Sequence, residues 1–158
     1  MMSERPEVRR IRADEVEALI PLCVEHAHFE RAPPLDTSGL ADRLRARICA
    51  DHLALFTWVA HLHGMIVGYA TATTEFSTWS ARDYWHIDCL YVVAHLRGQG
   101  VGRDLMFAIS SEARERGILQ LQWQTPEWNV DAQRFYARLG ASMQLKARFT
   151  LDVRADSD

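Results

Sequence analysis

The sequence predicts an α/β protein in which a mixed central sheet of six to seven strands is flanked by about four helices. Three observations predict it. Apolar residues recur with period two in some segments and at helical spacing in others. The two kinds of segment interleave along the chain. A glycine-rich turn, finally, joins one strand-like run directly to a helical one.

The elements follow in order. Residues 8–12 mix apolar and basic side chains as a half-buried strand does, and Asp14 precedes Val16, Leu19, Ile20, Cys23 and Val24 at helical spacing. Pro33 and Pro34 interrupt the helix, and Leu40, Leu44 and Ile48 form one stripe of a second helix. Residues 53–62 and 65–74 are rich in β-branched and aromatic residues and are separated by His63-Gly64, a pair able to supply positive φ. They are expected to pair as an antiparallel hairpin. A polar loop over residues 77–83 leads to a third strand-like run, residues 85–93, and then to the glycines. Beyond them Val101, Leu105, Ile109 and Ala113 fall at i, i+4, i+8 and i+12, and Gly117 stands where a helix ends. Residues 118–124 alternate as another strand, parallel to the preceding one if the helix between them is a right-handed crossover. Asn129 or Asp131 can cap a short helix carrying Ala132, Phe135, Tyr136 and Leu139 and closed by Gly140, and residues 146–153 make a last strand. No repeat, low-complexity stretch or linker divides the chain, so one domain over residues 1–158, with its core in about 7–153, is expected.

Composition narrows the class of function. With 158 residues, 48% of them apolar, the chain can bury a core without disulfides or metals. Its net charge of −3, with Arg interspersed among Asp and Glu, leaves no basic block to neutralise phosphates, so no nucleic-acid partner is expected. No apolar stretch approaches the ~18 residues of a membrane span. Cys23, Cys49 and Cys89 are odd in number and widely spaced, which fits a reducing cytoplasm better than a disulfide framework. His26/His28 and His61/His63 lack a second cluster at ligand spacing, so no metal site is expected.

Chemistry concentrates in the glycine-rich turn. A strand–glycine–helix junction presents backbone N–H groups at the positive end of a helix dipole, a ready cradle for a pyrophosphate. The spacing of Gly98, Gly100 and Gly102 fits neither the dinucleotide fingerprint nor a P-loop. By itself it leaves two readings open, phosphate binding or close approach of helix and strand.

Leu90-Tyr91-Val92, followed by Arg97-Gly98-Gln99-Gly100-Val101-Gly102, resembles the pyrophosphate-binding motif of the GNAT acetyltransferases. Trp128-Asn129, Ala132, Phe135-Tyr136 and Leu139-Gly140-Ala141 resemble a second stretch of the same family. Through Phe76-Ser77-Thr78-Trp79, the run from His86 to Val92 and Glu127-Trp128-Asn129, the chain is similar to the diamine (spermidine/spermine-type) acetyltransferases within it. It departs from them at Ala94, where many relatives have proline, and at Asp88-Cys89, which replaces a Glu-Asp pair.

The resemblance implies a GNAT fold with a splay between the fourth and fifth strands at a bulge near Leu90–Val92. It implies acetyl-CoA as cosubstrate, held by Leu90, Tyr91 and Val92, by Arg97 through Arg103, and by Asn129. It implies a small-molecule amine as acceptor, diamine-, polyamine- or amino-acid-like, and a homodimer. Other readings within reach are a protein or peptide N-acetyltransferase and a non-catalytic acyl-CoA sensor. A lysine-like amine is mostly protonated at neutral pH, and reaching its nucleophilic form costs about 4 kcal/mol. Asp88 stands where the family has its proposed base, with His86 as the alternative, and Tyr136 matches the tyrosine that protonates the departing thiolate. Glu30 and Trp79 match best the acceptor-binding residues of the diamine subfamily.

Overall fold

The computed structural model describes residues 5–52 and 54–154, which fall into two units, Met1–Pro126 and Glu127–Asp158. The first unit holds β1 (Glu7–Arg10), a 3-10 turn (Ala13–Glu15), α1 (Val16–Phe29), α2 (Leu40–Ile48), β2 (Phe56–Leu62), β3 (Met65–Ser77) and β4 (Arg82–Val92). A second 3-10 turn (Ala94–Leu96), α3 (Val101–Glu115) and β5 (Leu121–Trp123) follow. The strands form one sheet in the order β1-β2-β3-β4-β5. β1 to β4 pair antiparallel, and β4 pairs with β5 in parallel, as a helical crossover requires.

Local chemistry accounts for the boundaries. His63 and Gly64, at φ 49° and 79°, make the tight turn of the β2–β3 hairpin. The expected start of β2, Leu53, lies outside the described residues, and the strand begins at Phe56. The β3–β4 hairpin is longer than the sequence suggested, pairing Ser77 with Arg82. Its outer part is an exposed ribbon, so no apolar alternation marks it. Ahead of α1 it is Glu15, not Asp14, that closes the turn, accepting the Arg12 N–H at 2.9 Å and a hydrogen bond from Arg9 at 2.7 Å. The Arg9 hydrogen bond lowers the Glu15 carboxyl to about 2.

The sheet is covered on both faces. The α3 stripe Val101, Leu105, Ile109 and Ala113 is buried, and Phe56, Trp58 and Trp85 stack in one aromatic cluster on that side. Glu112 of α3 ties the cluster down by accepting from Trp58 Nε1 at 3.1 Å and from Arg10 at 3.1 Å. Val16, Leu19 and Leu22 of α1 and Ile48 of α2 pack with Val59, Tyr69 and Tyr91 in a second cluster.

In the second unit α4 (Val130–Arg138) is capped by Asn129, whose Oδ1 accepts the Ala132 N–H at 3.1 Å. Gly140 follows the helix at φ 88°. The expected strand over residues 146–153 is not formed, and the six to seven strands expected are five among the described residues. The period-two pattern is present, but its apolar side chains are exposed, Phe149 by 91%. Alternation gives a segment the capacity to be a strand, whereas a strand also needs a neighbour to take its backbone hydrogen bonds.

Gly68 decides how closely β3 and β4 approach at the end of the sheet nearest α3. A Cβ there would stand 3.0 Å from the Tyr91 carbonyl oxygen and 3.5 Å from Leu105 Cδ1. A backbone oxygen cannot rotate away, so Gly68→Ala is expected to lose about 1–3 kcal/mol of stability in urea denaturation. An unchanged midpoint would mean that the two strands separate there at no cost.

Candidate active site

The glycine-rich turn is built by backbone conformation. After Val92 the chain makes the 3-10 turn and an extended Arg97, and Gly98 and Gly100 then take φ of 76° and 89°, the left-handed region that other residues avoid. Open space surrounds the position of a Cβ on Gly98, so that glycine is needed for its conformation and not for room. Gly100 is the N-cap of α3, and its carbonyl accepts the first helical N–H, from Asp104, at 3.0 Å. The N–H groups of Val101, Gly102 and Arg103 therefore have no acceptor within the helix and point out at its positive end.

Side chains fix this turn from both flanks. Arg97 donates from Nε to the Val92 carbonyl at 2.8 Å, and its guanidinium lies over the rings of Phe29, at 4.3 Å, and Tyr91, at 5.2 Å. Gln99 donates to the His95 carbonyl at 2.9 Å. Arg5 forms a two-pronged ion pair with Asp104 in the first turn of α3. Its Nη2 lies 3.6 Å from where a Cβ on Gly100 would be. No local pattern marks Arg5, because only folding brings residues 5 and 104 together.

β4 carries the next part of the site. Cys89 pairs with Thr71 and Ile87 with Ala72, so Asp88 is the extra residue of a β-bulge. The bulge was expected near Leu90–Val92, but Leu90, Tyr91 and Val92 pair in regular register with Ala70, Tyr69 and Gly68. The break falls earlier because side-chain phase must change there. Trp85 before it joins the aromatic cluster beneath α3, whereas Tyr91 after it stacks on His26 of α1. Asp88 is exposed and His86 half-buried, and no hydrogen bond or ion pair joins them among the described residues. The β4–β5 ladder ends at Ile87 and Trp123. Past that point, among the described residues, the β4 backbone has no strand beside it on the β5 side.

Behind β4, α1 contributes Glu25, which sequence reasoning passed over, together with His26 and Glu30, whose partners it did not foresee. His26 is buried, its Nδ1 2.9 Å from the Tyr69 hydroxyl and its Nε2 3.3 Å from Glu30 Oε1. Tyr91 donates to Glu25 at 3.2 Å. Burial pushes the Tyr69 hydroxyl far up, and burial with the neighbouring Asp88 charge pushes the Cys89 thiol up to about 12. Burial also raises the Cys23 thiol, and burial followed by the Glu25 charge raises Tyr91. A signal existed: Leu19, Cys23, His26 and Glu30 fall at i, i+4, i+7 and i+11, a core stripe that a histidine joins only with hydrogen-bond partners.

The remaining expected residues are dispersed. Glu30 meets His26, whereas Trp79 is fully exposed in the β3–β4 turn. Asn129 and Tyr136 belong to the second unit, where Asn129 caps α4 and the Tyr136 ring lies 5.2 Å from that of Phe135. Among the described residues no group of three or more His, Cys, Asp and Glu is placed to hold a metal ion, and no helix is long and apolar enough to cross a membrane.

Residues 21–141 match the model of the Acetyltransferase (GNAT) family. The chain is 28% identical over 130 residues to a thialysine N-epsilon-acetyltransferase of Caenorhabditis elegans, covering 82% of this chain and 79% of that one. It is 27% identical over 143 residues to a D-amino-acid N-acetyltransferase of Saccharomyces cerevisiae, covering 88% and 86%. In fold it is similar to the crystal structure of a possible acetyltransferase from Clostridium difficile, with a TM-score of 0.79 at 20% identity over 96% of this chain and all of that one.

Partly buried thiols whose ionisation is pushed up are poor nucleophiles. Iodoacetamide at about pH 8 is expected to modify the exposed Cys49 in the folded protein well before the half-buried Cys23 and Cys89, whose thiols are raised. Peptide mass mapping checks this, and labelling of Cys89 as fast as that of Cys49 would contradict the raised thiol.

Proposed function

Because the chain belongs to the acetyltransferase (GNAT) family and is therefore an acyltransferase, we propose that it moves the acetyl group of acetyl-CoA to a primary amine of a small molecule by direct attack. The observation that carries the reading is the turn before α3, where two left-handed glycines lead into a helix N-terminus with no side-chain cap, whose first N–H groups have no acceptor within the helix. A pyrophosphate suits it, with Arg97, Gly98, Gln99, Gly100, Val101, Gly102 and Arg103 as the cradle and Asn129 as a further contact. The relatives named for thialysine and D-amino acids support an acceptor that is a diamine-, polyamine- or amino-acid-like small molecule.

In this reading Leu90, Tyr91 and Val92 line the thioester, and the backbone N–H groups of Leu90 and Val92, which alternate with that of Tyr91 directed at β3, polarise its carbonyl and stabilise the oxyanion formed on attack. Asp88, exposed on the bulge, takes the proton of the incoming ammonium. Tyr136 gives a proton to the departing thiolate; a phenol near ~10 donates slightly uphill to a thiol near ~8.5, which helps without being indispensable. Trp79 and the partly exposed Glu30 meet the acceptor. The reading extends to one domain acting as a cytoplasmic homodimer, without metal or nucleic acid.

A panel of small amines with acetyl-CoA, followed by thiol release, tests the proposal, and no turnover with any amine or peptide would favour an acyl-CoA sensor. Gly100→Val forces a β-branched residue to a φ of 89° at the mouth of the cradle. Its acetyl-CoA dissociation constant by calorimetry is expected to rise about tenfold or more in protein shown to be folded. Binding as tight as the parent's would misplace the cradle.

Tyr136→Phe removes one hydroxyl and keeps the packing volume. It is expected to lower kcat by roughly 10²–10⁴ and to leave acetyl-CoA affinity and stability nearly unchanged. A near-normal kcat, measured where chemistry limits the rate, would assign thiolate protonation to water or another group.

A further inference from the structure

Arg5 stands outside residues 21–141, the stretch that matches the family, yet its side chain lies against the glycine turn. It belongs to the backbone just before β1, and two ion pairs hold that part of the chain along α3. Arg10 of β1 meets Glu112 near the end of the helix at 3.1 Å, and Arg5 meets Asp104 in its first turn. In the second pair Nε donates to Oδ2 at 2.9 Å and Nη2 to Oδ1 at 2.6 Å. The same Nη2 is 3.6 Å from where a Cβ on Gly100, the N-cap of α3, would be. Folding thus sets a guanidinium at the mouth of the turn.

The pair does more there than join two elements. A carboxylate in the first turn of a helix suits the dipole, but it opposes any second anion at the same end. Helical side chains lean toward the N-terminus, which brings Asp104 closer still to the turn. A two-pronged guanidinium cancels that charge. Stability is a weak reason for the pair, because the Arg5 side chain is 66% exposed and ion pairs so exposed contribute little. A guanidinium carries five N–H groups in one plane. Asp104 takes one on Nε and one on Nη2, and among the described residues no other acceptor meets the three that remain. They are held in a fixed direction by the two bonds already made, so little further ordering is needed when an anion arrives.

We propose that Arg5 is a further coenzyme-binding residue: oriented by Asp104, it donates its remaining N–H groups to the pyrophosphate on the turn before α3. The proposal rests on the reading of that turn as the cradle. It gives the segment ahead of β1 a part in cofactor binding, and it accounts for a carboxylate being tolerated in the first turn of a helix that is to receive an anion.

Calorimetry with coenzyme A tests it without any acetyl transfer. Arg5→Met keeps the apolar stem and removes the charge, and its dissociation constant is expected to rise about tenfold while the thermal midpoint stays nearly unchanged. Parent-like affinity would overturn the proposal. Asp104→Asn separates donation to phosphate from mere neutralisation, since it leaves no charge to cancel. In that background Arg5→Met is still expected to weaken binding about threefold or more, and no effect there would refute the donation. Dephospho-coenzyme A keeps the pyrophosphate and lacks the 3′-phosphate, so the same loss is expected with it; a loss confined to coenzyme A would move Arg5 to the ribose phosphate and overturn the assignment. Gly100→Val distinguishes the underlying reading. If it binds as tightly as the parent, the cradle itself is misplaced, whereas weak binding by Gly100→Val beside normal binding by Arg5→Met refutes the role of Arg5 alone.

Discussion

The one-residue offset between β3 and β4 at Asp88 is the constraint on which the rest of the site depends. A regular strand offers alternate side chains to opposite faces, and β4 has to serve two different layers along its length. Near the hairpin it places Trp85 under α3 beside Trp58; nearer the glycine turn it places Tyr91 against α1. Inserting one residue between those stretches changes the phase without breaking the ladder. The inserted residue is left outside the pairing, which is how a carboxylate comes to be exposed in the middle of a long strand.

That offset also explains why α1 takes part in the site. Once Cys89 and Tyr91 face α1, the last turns of that helix lie over the end of β4. Phe29 supplies one aromatic surface for the Arg97 guanidinium and Tyr91 another. The cation is thereby fixed on the glycine turn by two rings and the Val92 carbonyl, and among the described residues no carboxylate is paired with it. At the opposite end of the sheet Glu112 does face cations, accepting from both Arg10 and Arg116. Burial there lowers the Arg10 guanidinium, with the carboxylate opposing the effect. One arrangement leaves a charge available and the other closes a corner of the fold.

Elements with a strong local cause were legible from the residues. The α3 stripe, the His63-Gly64 turn and the glycines ending α3 and α4 were each expected where they occur, and of the two caps expected for α4, Asn129 or Asp131, it is Asn129, because each follows from interactions within about one turn of chain. The outer β3–β4 ribbon was missed, since a two-sided exposed hairpin has no apolar face to reveal it. The strand expected over residues 146–153 failed for the opposite reason, its pattern being clear while the ladder that would realise it is not formed among the described residues.

By itself, then, the sequence determined the interleaving of helices and strands, the glycine turn and, through the resemblance it carries, the family. Periodicity, capping and positive φ are properties of neighbouring residues, and they survive in one dimension. The tertiary structure decided that Asp88 is the bulge residue, that Arg5 stands beside Gly100, and that Glu30 is bound to His26 and through it to Tyr69. Apart from the local contact of Glu30 with His26, each depends on strand register or on groups 43 or more positions apart, as with His26 and Tyr69. A bulge shifts register by one residue with no residue type that announces it, and long-range hydrogen bonds form only once packing has removed the water that would otherwise satisfy both partners.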